Sequence, residues 1–136
     1  MPKQTLLYTD GGARGNPGPA ATGVVLKLGE DTLYESKYLG VKTNNQAEYE
    51  ALIQGMSLAV KHKTEELLCH TDSEVVAKQM RGEYKVHDSK LRKLYAEAKD
   101  LEKKFLKVTY NHLPRSNPDI RKADAQVNRT LDEVSR

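Results

Sequence analysis

Three strand-like stretches follow one another at the start of this chain with no helix between them, and then the period of the apolar residues changes. QTLLYT (4–9), AATGVVLKL (20–28) and DTLYESKYLGV (31–41) read as strands, the last two joined by a tight turn at Gly29-Glu30-Asp31. From Thr43 to about His62 the apolar positions Tyr49, Leu52, Ile53, Met56, Ala59 and Val60 form a helical stripe, and Thr43 with Gln46 makes a capping box at its start. EELLCHT (65–71) predicts a fourth strand. Thr71 with Glu74 offers a second capping box for a short helix that stops at Gly82, and Asp88 caps a longer helix lined by Leu91, Leu94, Tyr95, Ala98, Leu101 and Phe105. LKVTYNHL (106–113) predicts a fifth strand, and 120–135 a last helix after a proline-containing loop. Consecutive strands with short connections form an antiparallel meander, whereas strands reached through helical crossovers pair in parallel. The expectation is an α/β fold: a five-stranded mixed sheet covered by helices, in a single domain over 1–136.

The rest of the chain restricts what such a fold is for. Nothing at the start resembles a signal peptide, and no stretch approaches the roughly 18 apolar residues needed to span a bilayer. The lone Cys69 has no internal partner, which suits a reducing compartment, and a cytoplasmic location is expected. Asn128-Arg129-Thr130 has the form of a glycosylation sequon but means little without a secretory route. The net charge of +3 is uneven, with −1 over residues 1–60 and +4 over 61–136. That bias permits a polyanionic partner without requiring one.

YTDGGARGNPGPAATG (8–23) sets a carboxylate at the end of a strand and then removes most side-chain bulk. A hairpin turn is one explanation, but the stretch is about twice the two to five residues a hairpin loop uses. The other explanation is that something large must approach the backbone. Three more acids lie at element ends: Glu48 in the first turns of the first helix, Asp72 after the fourth strand, and Asp124 at the opening of the last helix. Each has a local alternative: a turn for Asp10, a favourable macrodipole position for Glu48, an N-cap for Asp72, a solvated helix face for Asp124.

Taken together the four acids point to chemistry. Ligands of mixed α/β sheets gather at the carboxyl ends of neighbouring strands, where Asp10 and Asp72 fall. Carboxylates converging in one cleft repel unless cations neutralise them. An all-oxygen site suits Mg²⁺, with Mn²⁺ the alternative, and two ions about 3.5–4 Å apart suit in-line phosphoryl displacement. Zinc does not fit one cysteine and four scattered histidines, and no Gly-Lys-Ser/Thr closes the glycine stretch into a nucleotide-phosphate loop.

YTDGGARGNPGPAATGVV, TNNQAEYEALI, CHTDSEVV and KADAQVN, in this order and spacing, resemble ribonuclease H of type 1 over nearly the whole chain. The resemblance implies a ribonuclease H-like fold and divalent-metal cleavage of the RNA strand of RNA–DNA hybrids, leaving 5′-phosphate and 3′-hydroxyl ends. On the matching positions Asp10, Glu48, Asp72 and Asp124 are the metal-binding acids, with two ions per site. Asn16, Thr43, Asn44 and Asn45 match hybrid-contacting positions, and Gly11 and its neighbours would let a nucleic-acid backbone approach. Thr43 and Asn44 also read as helix-capping residues. The partner implied is the hybrid itself, with no membrane, no obligate protein partner, and a monomer.

The chain departs from the longer bacterial relatives of that family. It lacks their lysine- and tryptophan-rich extra helix, so the shorter branch without the basic protrusion is expected, with weaker, salt-sensitive binding. Glu74 stands where many relatives have glutamine, and its charge hinders a phosphate unless it points away or helps hold a cation. HLPRSNPDIRKAD replaces a Gly-His-x-Gly segment; Arg115 is the cation on that loop, either guiding the scissile phosphate or helping product leave, and His112 is not expected to act. A non-catalytic hybrid-binding module and a resolvase- or transposase-type nuclease core are the other readings weighed.

Overall fold

A computed structural model describes residues 4–135. Its elements run β1 (Gln4–Ala13), β2 (Gly18–Leu28), β3 (Asp31–Lys42), α1 (Asn44–Lys61), β4 (Glu66–Thr71), α2 (Glu74–Met80), α3 (Ser89–Glu102), β5 (Lys107–His112) and α4 (Pro118–Val134). The strands form one sheet in the order β3-β2-β1-β4-β5. β1/β2 and β2/β3 pair antiparallel, and β1/β4 and β4/β5 pair parallel, the mixed sheet expected from the meander and the crossovers. Among the described residues no helix is long and apolar enough to cross a membrane.

Alternation along the strands sends side chains to two different layers. On one face Leu7, Val24, Leu26 and Leu67 meet Tyr49 and Met56 of α1, with α2 and α3 closing the same core. On the other face Tyr8 and Val25 meet Ile120 and Ala123 of α4, and Ala21 meets Val127 and Leu131. Among the described residues α4 is the helix that packs on that side, over β1, β2 and β3.

Three local expectations are corrected. β1 does not end at Asp10: it continues through Gly11 and Gly12 to Ala13, paired with β2 as far as Ala20. The connection is a hairpin after all, of residues 14–17, with Arg14 N–H donating to the Pro19 carbonyl at 2.8 Å. α2 is capped by Ser73, whose hydroxyl accepts from Val76 N–H, so neither Thr71 nor Asp72 is the cap. α4 begins at Pro118 rather than 120, because Asn117 caps it and proline fits its first turn, where no N–H partner is needed. Asp124 consequently lies well inside α4 instead of opening it.

The capping box of α1 is present as expected. Thr43 Oγ1 accepts from Gln46 N–H at 3.1 Å, and Thr43 N–H donates to Gln46 Oε1 at 2.9 Å. Thr43→Ala should therefore cost about 1 kcal/mol of stability, seen as a lower urea midpoint with an unchanged denaturant slope. An unshifted midpoint would show that tertiary contacts hold the start of α1 without the cap.

Candidate active site

Each acid reaches the cleft for a local reason, and none keeps its alternative role. Asp10 lies inside β1, not in a turn, and is directly opposite Gly23 of β2. The parallel pairing of β1 with β4 ends at Thr9–Thr71, so Asp10 and Asp72 are each one residue beyond it, side by side. Glu48 lies past the first turn of α1. Asp124 is half-buried on α4 instead of solvated, and close enough to hydrogen-bond the Asp10 carboxyl.

Carboxylate oxygens of Asp10, Glu48 and Asp72 come within 4.8 Å of one another. Gly11 N–H donates to Glu48 Oε1 at 2.7 Å and holds that side chain in place. The expected purpose of Gly11 changes with this: a Cβ there would lie 2.1 Å from the Ala47 carbonyl oxygen, so the space it leaves is filled by α1 and not by an approaching ligand. Asp124 and Asp10 line a cleft of about 350 Å³ with Glu48, Arg115, Asn44 and Asn128.

The electrostatics follow from burial of like charges. Asp10 is only 7% exposed. Desolvation, then the charge of Asp72, then the hydrogen bond and charge of Asp124 push its carboxyl up to about 8. Burial, followed by Asp10 and Asp72, also drives Glu48 well above the ordinary carboxyl range, against the opposing pull of the Gly11 N–H. Arg115 Nε pairs with Asp72 Oδ2 at 3.3 Å while its side chain is 86% exposed, so the guanidinium reaches in from the rim. The other oxygen, Asp72 Oδ1, is buried with no hydrogen-bond partner. An unpaired buried carboxylate oxygen beside two more hard oxygen donors fits a divalent cation of the Mg²⁺ or Mn²⁺ type.

The predicted contact residues fall into a second groove, of about 830 Å³, lined by Asn16, Pro17, Thr43, Asn44, Asn45 and Lys90 among others. Asn44 belongs to both grooves. Its Oδ1 accepts from Ala13 N–H at 2.9 Å and its N–H donates to Asn16 Oδ1 at 3.0 Å, tying the start of α1 to the β1–β2 hairpin. Asn45 is exposed, with no such tie among the described residues. Glu74 is exposed and paired with Lys78 at 3.0 Å, and this hydrogen bond holds its carboxyl below the usual range. His112 ends β5, is exposed, and does not line the acid cleft.

Residues 8–130 match the protein-family model described as reverse transcriptase-like. The chain is 38% identical over 135 residues to a bifunctional protein of Mycobacterium tuberculosis; the match takes in 97% of this chain and 36% of that protein, so the chain spans about a third of its length. It superposes on the crystal structure of RNase H1 from Halobacterium salinarum with a TM-score of 0.90 at 36% identity, covering 96% of this chain and 98% of that one. The chain belongs to the type 1 ribonuclease H family. A second ribonuclease H, LC11-RNase H1, was solved in complex with an RNA/DNA hybrid and matches with a TM-score of 0.88 at 37% identity, over 97% of this chain and 99% of that one. Within that family the chain is of the compact kind, since only residues 81–88 separate α2 from α3 and no helix lies among them.

Two residues beside the acids were missed in the sequence. Asn128 Nδ2 donates to Asp124 Oδ2 at 3.2 Å, and Arg14, whose side chain lines the same cleft, pairs with Asp132 at 2.6 Å. The spacing of Asp124 and Asn128, four residues apart on one helix, was the available signal.

A carboxyl whose folded pKa is raised binds more protons folded than unfolded. For Asp10 the stabilising contribution is complete below its ordinary value of 3.8 and is lost as pH rises through about 8. In metal-free protein the melting temperature of Asp10→Asn relative to wild type should therefore increase by several degrees between pH 4 and pH 8. Thermal melts in chelator across that range measure it; a constant difference would mean that Asp10 is not held against its neighbours.

Proposed function

We propose that this chain is an endoribonuclease that hydrolyses the RNA strand of RNA–DNA hybrids. The observation that carries the reading is the meeting of the acid cleft and the asparagine-lined groove at Asn44. A duplex laid across that junction puts one strand against the carboxylates and the other along short polar side chains. The complex of LC11-RNase H1 with a hybrid supports the same substrate class.

Divalent ions, Mg²⁺ or Mn²⁺ and two per site, would be held by Asp10, Glu48, Asp72 and Asp124. When bound, such ions neutralise the phosphate and lower the pKa of a coordinated water, and the products would carry 5′-phosphate and 3′-hydroxyl ends. Gly11 N–H orients Glu48, and Asn128 orients Asp124. Arg115, long and exposed on the β5–α4 loop, is placed to leave Asp72 and meet the scissile phosphate. Asn45, Asn16 and the free donors of Asn44 and Thr43 can bind backbone oxygens and ribose 2′-hydroxyls, which separate RNA from DNA. A monomer acting in the cytoplasm as a single domain completes the reading, supported by the buried free thiol of Cys69.

A labelled RNA–DNA hybrid and the matching DNA duplex, each incubated with Mg²⁺, test the proposal. Cuts confined to the RNA strand are expected. Binding without cleavage would make the chain a hybrid-binding module, and cuts in DNA would make it another nuclease on this fold. Asp10→Asn, Glu48→Gln and Asp72→Asn should each remove nearly all cleavage and still fold, as judged by circular dichroism; a folded, fully active variant would remove that acid from the site.

His112 and Arg115 separate two versions of the same chemistry. His112→Ala should lose less than about tenfold in turnover at saturating hybrid and Mg²⁺, under roughly 1.4 kcal/mol of barrier, and Arg115→Ala should lose more. The reverse order would transfer the role of that loop to the histidine.

A further inference from the structure

Asp124 is the acid that comes from α4, on the opposite face of the sheet from α1 and Glu48. Its distance from Asp10 therefore depends on how closely α4 lies against β2. At the β2 position directly across from Asp10 the chain has Gly23. A Cβ there would lie 1.9 Å from the Ala123 carbonyl oxygen, 2.8 Å from its carbonyl carbon and 3.2 Å from its Cα. All three are backbone atoms, and Ala123 is the residue before Asp124. Gly23 has ordinary strand backbone, without a positive φ, so it is the space and not the conformation that requires glycine.

The contact is locked from the neighbouring strand. Ser36 of β3 pairs with Gly23 in register. Its hydroxyl lies 2.7 Å from the Thr22 carbonyl, 3.2 Å from the Gln126 carbonyl and 2.6 Å from Thr130 Oγ1, linking the sheet to α4 just beyond Asp124. We infer that Gly23 is a positioning residue for catalysis: by letting the Ala123 backbone touch β2, it sets the reach of Asp124 to Asp10, with Ser36 holding that spacing. The inference rests on the nuclease reading above. Non-bonded heavy atoms sit about 3.5 Å apart, so any side chain at 23 moves α4 outward by about an ångström or more. Displacement on that scale withdraws the Asp124 carboxylate from reacting groups that must be placed to within about half an ångström.

The test combines structure, kinetics and a compensating change. Gly23→Ala and Ser36→Ala are made alone and together with Asp124→Glu, which lengthens the acid by one methylene. Phe105→Leu, which loosens the core on the other face, serves as the stability control. In a crystal structure of Gly23→Ala, the Ala123 carbonyl should stand away from β2 and the Asp10–Asp124 separation should widen. At temperatures well below each melting point, kcat on the hybrid should fall by about tenfold or more, with KM within about twofold of wild type. Asp124→Glu should slow the wild type but raise kcat in the Gly23→Ala background, a rescue that general loss of stability does not produce. If Gly23→Ala does not fold, Ser36→Ala carries the test with a smaller loss of about threefold, relieved by the same Asp124→Glu change. An unchanged Asp10–Asp124 separation, a kcat loss no greater than in Phe105→Leu, or Asp124→Glu equally harmful in every background would overturn the inference. Wild-type protein that cuts no hybrid would instead defeat the nuclease reading, while the crystallographic separation would still judge the role of Gly23.

Discussion

Like-charge repulsion among buried carboxylates governs the acid cleft of this molecule. Asp10, Glu48 and Asp72 bring carboxylate oxygens within 4.8 Å of one another, and Asp124 joins Asp10 from the far layer. Left to themselves such groups separate or take up protons. They cannot separate, because each is fixed to a different rigid element, Asp10 inside β1, Asp72 just beyond β4, Glu48 on α1 and Asp124 on α4, so they hold protons instead. Counter-charge comes from outside the layer, through the exposed guanidinium of Arg115, and satisfies one oxygen of Asp72 while the other stays unpaired. The cleft could in this sense take up a cation.

The sheet supplies the rigidity. Two glycines on adjacent strands let helix backbones from opposite faces touch it: Gly11 against Ala47 of α1, and Gly23 against Ala123 of α4. In both cases the next residue of the helix is an acid that lines the cleft, Glu48 or Asp124. Close approach of backbone to backbone fixes distances better than side-chain packing does, because no rotamer stands between the two elements. The cores behind them, built on Leu7, Val24 and Met56 on one side and on Tyr8, Val25 and Ile120 on the other, keep both helices seated against the repulsion.

The order of elements and the mixed sheet were legible because apolar periodicity, the Thr43–Gln46 capping box and the Asp88 cap act locally. The four acids were picked out through family motifs; Asp10, Glu48 and Asp124 line the cleft, and Asp72 lies against Asp10 and Glu48. What escaped was set by tertiary contact. Glycine is disfavoured in strands, so 11–13 read as loop; the approach of α1 is what makes strand the better state there. Pro118 read as loop because proline breaks helices in their interior, yet after Asn117 it starts one. Asn128 was noticed only as part of a sequon, although the helix expected over 120–135 already placed it one turn beyond Asp124, to which it donates. Glu74, read as a charge in the path of a phosphate, is paired with Lys78 one turn away, a contact the sequence offered at i,i+4 spacing.

If the acids are held together against their own charge, at neutral pH they retain protons that an arriving cation must displace. Isothermal titration of Mg²⁺ into the protein at pH 7, in buffers of differing ionisation enthalpy, counts those protons directly. With Asp10 pushed up to about 8, the expected result is release of about one proton per protein molecule on saturation, reduced or abolished in Asp10→Asn. Saturable Mg²⁺ binding whose heat is the same in every buffer would show that the carboxylates are already ionised side by side, and would contradict the central claim.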